Sequence, residues 1–172
     1  MRALRSAALK EEREDPCMAQ KKTRRARGTE GRKTFEPAEL RPVGLIRSTL
    51  KKLSDAPKQG SEGAPDAWLE VLAFAVEAID GIGPGDDILV ITWLDQARRE
   101  VLKVHPRSDP SRRLTGVFAT RSPDRPNPLG LHRVTVRKVY KNRLRIGPIE
   151  AVDGTPVVDI KPVLSCAPHD ER

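Results

Sequence analysis

Apolar residues lie along the chain in short runs separated by glycine, proline and charged residues. The clearest run, Asp87–Leu94, is almost continuously apolar and predicts a buried strand. In Leu131–Tyr140, valines alternate with arginine and lysine, which predicts a strand with one basic face. Further strands are predicted at Leu40–Leu50, Val101–Val104 (as a continuation or a strand that pairs back), Leu114–Thr120, Arg143–Ile149 and Val157–Ile160.

Turn residues separate these runs and indicate the fold class. Lys141-Asn142 connects two strands as a hairpin, and the Asp-Gly pair in Asp153–Pro156 predicts a tight turn. Ala67–Ala75 is compatible with either a strand or a helix. Many short strands at close spacing, with one helix at most, predict an all-β fold, a single small β-barrel.

One polar, proline-rich segment interrupts the pattern of strands. Gly116–Leu131 reads Gly-Val-Phe-Ala-Thr-Arg-Ser-Pro-Asp-Arg-Pro-Asn-Pro-Leu-Gly-Leu, and its three prolines exclude a helix or a central strand. We expect a stiff, extended loop from which Arg121, Arg125 and Asn127 project. Such a loop suits an anionic or amide-bearing ligand, although a surface turn with solvated arginines fits the same residues.

Composition divides the chain into three parts. Residues 1–38 have few large apolar side chains and many charges, so we expect a disordered basic tail that contributes unspecific affinity for phosphates. Residues 40–164 hold the predicted strands and form the barrel domain, and residues 165–172 form a C-terminal tail.

Charge is unevenly distributed along the chain. The net charge is +8, but residues 98–145 alone contain 14 Lys and Arg against 3 Asp and Glu. Clustered positive charge is typical of proteins that bind a polyanion, and a solvated basic face is the alternative. We favour nucleic acid as the partner.

Several classes of protein are disfavoured. Two cysteines and three histidines without ligand spacing argue against a disulfide framework or a metal site. No run of about 18 apolar residues and no secretory signal pattern occur, so we expect a cytoplasmic protein without membrane association. No arrangement of residues identifies a catalytic nucleophile or base, which leaves the catalytic residues unassigned.

Four segments carry a family resemblance: Pro42–Ser48, Ala56–Gly60, Gly116–Leu131 and Asp153–Pro162. In this order they resemble the TsaA-like/TrmO family, over about residues 40–164. Known members are S-adenosylmethionine-dependent tRNA methyltransferases that modify N6-threonylcarbamoyladenosine at position 37. The resemblance implies a β-barrel, S-adenosylmethionine as cofactor, tRNA as partner and a homodimer.

The resemblance also implies site residues. Those expected to bind the cofactor are Pro57, Lys58, Gln59, Asp95, Gln96, Arg121, Leu131, Asp153, Gly154, Thr155 and Pro156. On the substrate side we expect Arg125, Asn127 and Lys161, with Asp159 beside the last, and the basic segment 98–145 adds Arg112 and Arg113. Placement of an already activated methyl donor can supply most of the acceleration, so a binding site suffices for this chemistry.

Three positions depart from the family pattern. Asp95 stands where histidine is frequent, Val163 where tyrosine is frequent, and His132 where serine is frequent. The departures leave two alternatives to methylation of threonylcarbamoyladenosine. One is a methyltransferase that acts on another RNA base or a small molecule, and the other is a barrel that binds nucleic acid without catalysis.

Overall fold

Six strands form a closed antiparallel barrel in the computed structural model, which describes residues 39–164. Their order around the barrel is β1-β2-β7-β6-β3-β8. The strands are β1 Gly44–Arg47, β2 Ala67–Val71, β3 Asp87–Trp93, β4 Lys103–Val104, β5 Thr115–Gly116, β6 Leu129–Tyr140, β7 Arg143–Gly147 and β8 Pro156–Pro162. Short 3-10 helices span Leu53–Asp55, Gly60–Glu62, Ala73–Ile79, Pro106–Ser108 and Val117–Ala119. The all-β barrel predicted from the sequence is confirmed, whereas the predicted tails, 1–38 and 165–172, lie outside the described residues.

Period-two alternation fills the interior of the barrel. In β3, Ile88, Val90 and Thr92 are buried while the residues between them are partly exposed. β6 buries alternate side chains in the same way, and β7 contributes Leu144 and Ile146, which have no exposed surface. Strand closure leaves no unpaired edge among the six strands, and the apolar interior supplies the main stabilising term.

The strand registers bring several loops to one end of the barrel. Trp93 at the end of β3 pairs with Leu129 at the start of β6, and Leu45 of β1 pairs with Pro156 at the start of β8. The connections 48–66, 94–128 and 148–155 therefore meet at this end, which we call the loop end. The opposite end carries the 72–86 connection and the Lys141-Asn142 turn.

Two predicted strands differ in extent or pairing from the structure. Leu114–Thr120 was expected as one strand, but only Thr115–Gly116 is extended before a 3-10 turn at Val117–Ala119. The Thr120 amide closes this turn on the Val117 carbonyl at 3.0 Å. The Val101–Val104 segment pairs through β4 with β5, so the two form a separate two-stranded ribbon.

Other boundaries also move. The ambiguous Ala67–Ala75 segment resolves into β2 followed by the 3-10 helix Ala73–Ile79. β6 begins at Leu129, so the last three residues of the proline-rich segment join the barrel, whereas a loop was expected through Leu131. Among the described residues, no helix is long and apolar enough to cross a membrane.

Candidate functional site

The loop end gathers the residues expected to bind the cofactor. Three connections, together with β6 and the start of β8, contribute them, although they are far apart in the sequence. They comprise Pro57–Gln59 between β1 and β2, Asp95 and Gln96 after β3, Arg121 before β6, Leu131 within β6, and the Asp153–Pro156 turn that leads into β8. This convergence follows from the closed antiparallel barrel, in which one strand ends and its neighbour begins at the same rim.

Arg125 holds the proline-rich segment in its conformation. Its Nε donates to the Ser122 carbonyl at 2.7 Å, and its Nη2 donates to the carbonyls of Thr120 at 2.7 Å and Val117 at 3.3 Å. The guanidinium is partly buried and donates to three carbonyls of a segment whose prolines cannot donate backbone hydrogen bonds. Arg125 thus supports the loop from within, while its predicted contact with substrate remains a prediction.

A second arginine contact joins the turn after β3 to the same segment. Asp124 accepts from the Arg98 amide at 3.0 Å, and its other oxygen accepts from Nε and Nη2 of Arg98 at 3.0 and 2.7 Å. Burial raises the pKa of Asp124, but the hydrogen bonds from Arg98 outweigh it, so this pKa lies below its ordinary value. The contact holds Asp95 and Gln96 beside the segment that carries Arg121.

Arg121 lies at the surface of the site. Its Nη2 donates to the Leu131 carbonyl at 3.2 Å, and both side chains are exposed. Leu131 retains 50% exposure and its neighbour Leu129 retains 41%, which leaves apolar surface beside a cation. Apolar surface next to a guanidinium matches a ligand that combines an aromatic base with a carboxylate, as S-adenosylmethionine does.

The Asp153–Pro156 turn is fixed to the end of β1. Asp153 accepts from the Ser48 amide at 3.0 Å and forms an ion pair with Lys51 at 2.9 Å. The hydrogen bond from Lys51 is the largest cause that lowers the pKa of Asp153. Gly154 adopts a positive φ of 83°, which the turn requires and glycine accepts without strain.

A buried polar network lies beneath these loops, and it was missed from the sequence. His132 Nδ1 lies 3.0 Å from Glu150 Oε1, and its Nε2 lies 2.9 Å from Thr92 Oγ1. Because the carboxylate only accepts, Nδ1 donates to Glu150, while Nε2 shares a hydrogen bond with the Thr92 hydroxyl. His132 and Thr92 are buried, so this satisfied network fixes the start of β6 against the end of β3 and holds the 148–155 connection to both.

Glu150 connects the network to the predicted cofactor loops. A Cβ built on Gly60 would lie 3.2 Å from Glu150 Oε2, so the 3-10 turn that follows Gln59 packs on this carboxylate. Burial raises the pKa of Glu150, but the hydrogen bond and charge of His132, together with the charge of Arg121, lower it overall. The sequence did contain a signal for this network. In the alternating pattern of β6, His132 occupies a buried position between apolar neighbours and therefore needs a hydrogen-bond partner.

We expect Glu150→Gln to reduce stability at neutral pH and to flatten its dependence on acid. The folded pKa of Glu150 lies below the ordinary value of 4.5, so its contribution is present above that value and is lost as the pH falls through the folded pKa. Urea unfolding from about pH 6 down to about pH 3 measures this. The difference between wild type and variant should shrink in acid, whereas Glu100→Gln, an exposed control, should show no such trend. A difference that stays constant with pH would contradict this role for Glu150.

The predicted substrate residues are not all brought together. Arg112 and Arg113 are exposed in the connection between β4 and β5, and Asn127 is exposed just before β6. Lys161 instead lies near the far end of β8, where it pairs with Asp159 at 2.8 Å. The structure therefore separates Lys161 from the loop end.

The β4–β5 ribbon lies against the predicted cofactor loop. Lys58 Nζ donates to the Arg107 carbonyl, and the Arg107 guanidinium pairs with Glu62 at 2.6 Å. Arg107 and Ser108 have positive φ values of 59° and 56°, an unusual backbone for residues with side chains. Within residues 39–164, no group of three or more His, Cys, Asp or Glu side chains is placed to hold a metal ion.

Comparison with known proteins identifies the family. The model of the tRNA-methyltransferase O N-terminal domain matches residues 45–168. The chain belongs to this family. Relatives similar in sequence include an S-adenosyl-L-methionine-binding protein of Archaeoglobus fulgidus, 41% identical over 133 residues, which cover 74% of this chain and 92% of the relative. A probable S-adenosyl-L-methionine-binding protein of Methanothermobacter thermautotrophicus is 42% identical over 123 residues, which cover 72% and 88%.

Solved structures of the TrmO family share the fold. A crystal structure of TrmO from Pseudomonas aeruginosa superposes with a TM-score of 0.61 at 31% identity and covers 80% of this chain. The match spans 61% of that longer protein, so this chain corresponds to part of it. The predicted TrmO family is confirmed, and S-adenosylmethionine as cofactor and methyl transfer as reaction class follow from it.

Proposed function

We propose that this chain transfers a methyl group from S-adenosylmethionine to the N6 nitrogen of threonylcarbamoyladenosine at position 37 of tRNA. The observation that carries the proposal is that the connections holding Lys58, Arg121 and Asp153 all lie at the loop end, with Arg121 and Leu131 exposed beside one another. The curated relatives named for S-adenosylmethionine binding support the cofactor. The family match supports tRNA as the substrate class.

The chemistry requires placement more than covalent catalysis. S-adenosylmethionine supplies an electrophilic methyl group on a sulfonium. Arg121 offers a guanidinium to the carboxylate of the cofactor, and Leu131 offers apolar contact. Asp153–Pro156 offers a rigid turn anchored to Ser48 and Lys51. Rigid loops reduce the entropy lost when the donor and the acceptor nitrogen are aligned.

Positive charge near the site supports a polyanionic substrate. Arg112 and Arg113 are exposed on the ribbon side of the loop end, and Asn127 is exposed at its edge. We assign these three residues to contacts with the tRNA backbone or bases. Arg125 affects substrate binding through the loop that it supports, and Lys161 lies at the far end of β8.

Arg121→Ala is expected to weaken S-adenosylmethionine binding by about tenfold, the loss of one charge-assisted contact. Isothermal titration measures the affinity, and Arg133→Ala is the control because Arg133 pairs with Asp87 on the outside of β6. Unchanged affinity in Arg121→Ala would contradict its assigned role.

Mass spectrometry of tRNA nucleosides tests the acceptor. Incubation of the protein with S-adenosylmethionine and threonylcarbamoyladenosine-containing tRNA should convert that nucleoside to its methylated form. Conversion of a different nucleoside would replace the proposed acceptor, and cofactor binding without transfer to any RNA would refute an RNA methyltransferase. The homodimer implied by the resemblance stays a prediction, which light scattering tests.

A further inference from the structure

An open pocket lies on the outer face of β1, β2 and β7, beside the loop end. Its volume is about 520 Å³. Its walls include three cations, two carboxylates and one indole. These are Arg47, Lys51 and Arg145, Asp66 and Asp153, and Trp68. Neither Arg121 nor Leu131 lines it, so the pocket is separate from that part of the predicted cofactor site.

The strand register places an aromatic ring between two guanidinium groups. Arg47 of β1 pairs with Trp68 of β2, and Trp68 pairs in turn with Arg145 of β7. The three side chains therefore form one row across neighbouring strands, which lie about 4.8 Å apart. The indole is half-buried, so the wall of the pocket holds it in place.

An ion pair orients each cation of the pocket. Arg47 pairs with Glu70 at 3.0 Å, Arg145 with Asp66 at 3.3 Å, and Lys51 with Asp153 at 2.9 Å. The two arginine side chains remain 49% and 53% exposed. Exposed pairs of this kind contribute little stability, so a phosphate can compete for the guanidinium groups at low cost.

We propose that this pocket binds one nucleotide of the RNA substrate, with its base on Trp68 and its phosphates on Arg47 and Arg145. Stacking of a base on an aromatic side chain beside cations is the physical basis of single-stranded nucleic-acid recognition. S-adenosylmethionine carries no phosphate, so it lacks the group that would take the place of the paired carboxylates on Arg47 and Arg145. The inference rests on the proposed function, because it takes RNA as the substrate.

Asp153 connects the pocket to the predicted cofactor site. Its carboxylate lines the pocket, while the turn it begins is expected to contact the cofactor. A nucleotide in the pocket would therefore be a close neighbour of the base that is methylated. The pocket would fix the register of the RNA strand, so it acts in positioning the acceptor and takes no part in the methyl transfer itself.

Tryptophan fluorescence provides the test, because the chain contains only Trp68 and Trp93. In a Trp93→Phe background, an RNA hairpin with the sequence of an anticodon arm should quench Trp68 emission saturably, and S-adenosylmethionine should not. Arg47→Gln combined with Arg145→Gln should weaken RNA binding about tenfold at physiological salt while leaving cofactor affinity unchanged. The matched control is Arg133→Gln, an exposed arginine paired with Asp87 on the same barrel, which should bind RNA as the wild type does.

Each other outcome overturns the inference. If S-adenosylmethionine quenches Trp68, or if the double variant loses cofactor affinity, the pocket belongs to the cofactor. If RNA binds without changing Trp68 emission and the double variant matches the control, the RNA lies elsewhere. Methyl transfer by the wild type is measured in parallel: transfer with an unaffected double variant refutes only the pocket, whereas absent transfer refutes the proposed function. Should Trp93→Phe fail to fold, filter binding of the arginine variants decides.

Discussion

Replacing Arg125 with alanine is expected to lower the free energy of unfolding by about 2–3 kcal/mol. The guanidinium donates to the carbonyls of Val117, Thr120 and Ser122, and its removal leaves these acceptors without that donor. Hydrogen bonds to a charged group are worth more than neutral ones, and the site is only partly open to water. Urea denaturation measures the loss.

The same variant should weaken cofactor binding, because the loop that carries Arg121 would lose its support. Arg125→Lys keeps the charge but lacks the planar fork that reaches three carbonyls, so we expect it to recover little of the loss. Arg137→Ala is the control, since that guanidinium makes one long contact, 3.4 Å, with the Gly147 carbonyl. If Arg125→Ala were as stable as the control and bound S-adenosylmethionine normally, the supporting role would be wrong.

Gly130→Ala is expected to destabilise the fold by about 1–3 kcal/mol through overpacking. A Cβ at this position would lie 2.4 Å from Thr92 Oγ1, 2.7 Å from His132 Nε2 and 3.3 Å from Leu94 Cδ2. The added methyl group therefore pushes apart the hydrogen bond between Thr92 and His132, which is buried on all sides. The urea midpoint reports the effect.

Gly116→Ala is the matched control for this substitution. Its φ of −59° suits alanine, and a Cβ there would meet nothing within 4 Å. We expect the control to be neutral or slightly stabilising, because alanine reduces the entropy of the unfolded chain. Equal stability of the two variants would show that the network can rearrange at no cost, contrary to its proposed role in fixing β3 against β6.

The barrel could be predicted because its strands have strong local patterns. Asp87–Leu94 is apolar except for Asp87 and Thr92, and the structure pairs β3 with β6 on one side and β8 on the other. The extent of β5 was not predictable, since Val117 leaves the strand to offer its carbonyl to Thr120 and Arg125. Both partners follow Val117 in the sequence, but only the folded loop shows that they form hydrogen bonds with its carbonyl.

The convergence of the site residues also could not be predicted from the sequence, because it depends on the fold. Resemblance of short segments indicated Arg121, Leu131 and the Asp153–Pro156 turn, but their common rim depends on strand register. Lys161 belongs to the same family segment as that turn, yet the length of β8 carries it to the other end of the barrel. The role of Glu150 required the fold, because its partner His132 lies on another strand.

The contact between the β4–β5 ribbon and the cofactor loop has a thermodynamic consequence. Lys58 and Glu62 both hold Arg107, so a displacement of the ribbon disturbs the loop that contains Pro57–Gln59. If RNA binds the ribbon and the cofactor binds the loop, the two equilibria share a coupling free energy. Linkage then requires reciprocity: the factor by which RNA changes cofactor affinity equals the factor by which the cofactor changes RNA affinity.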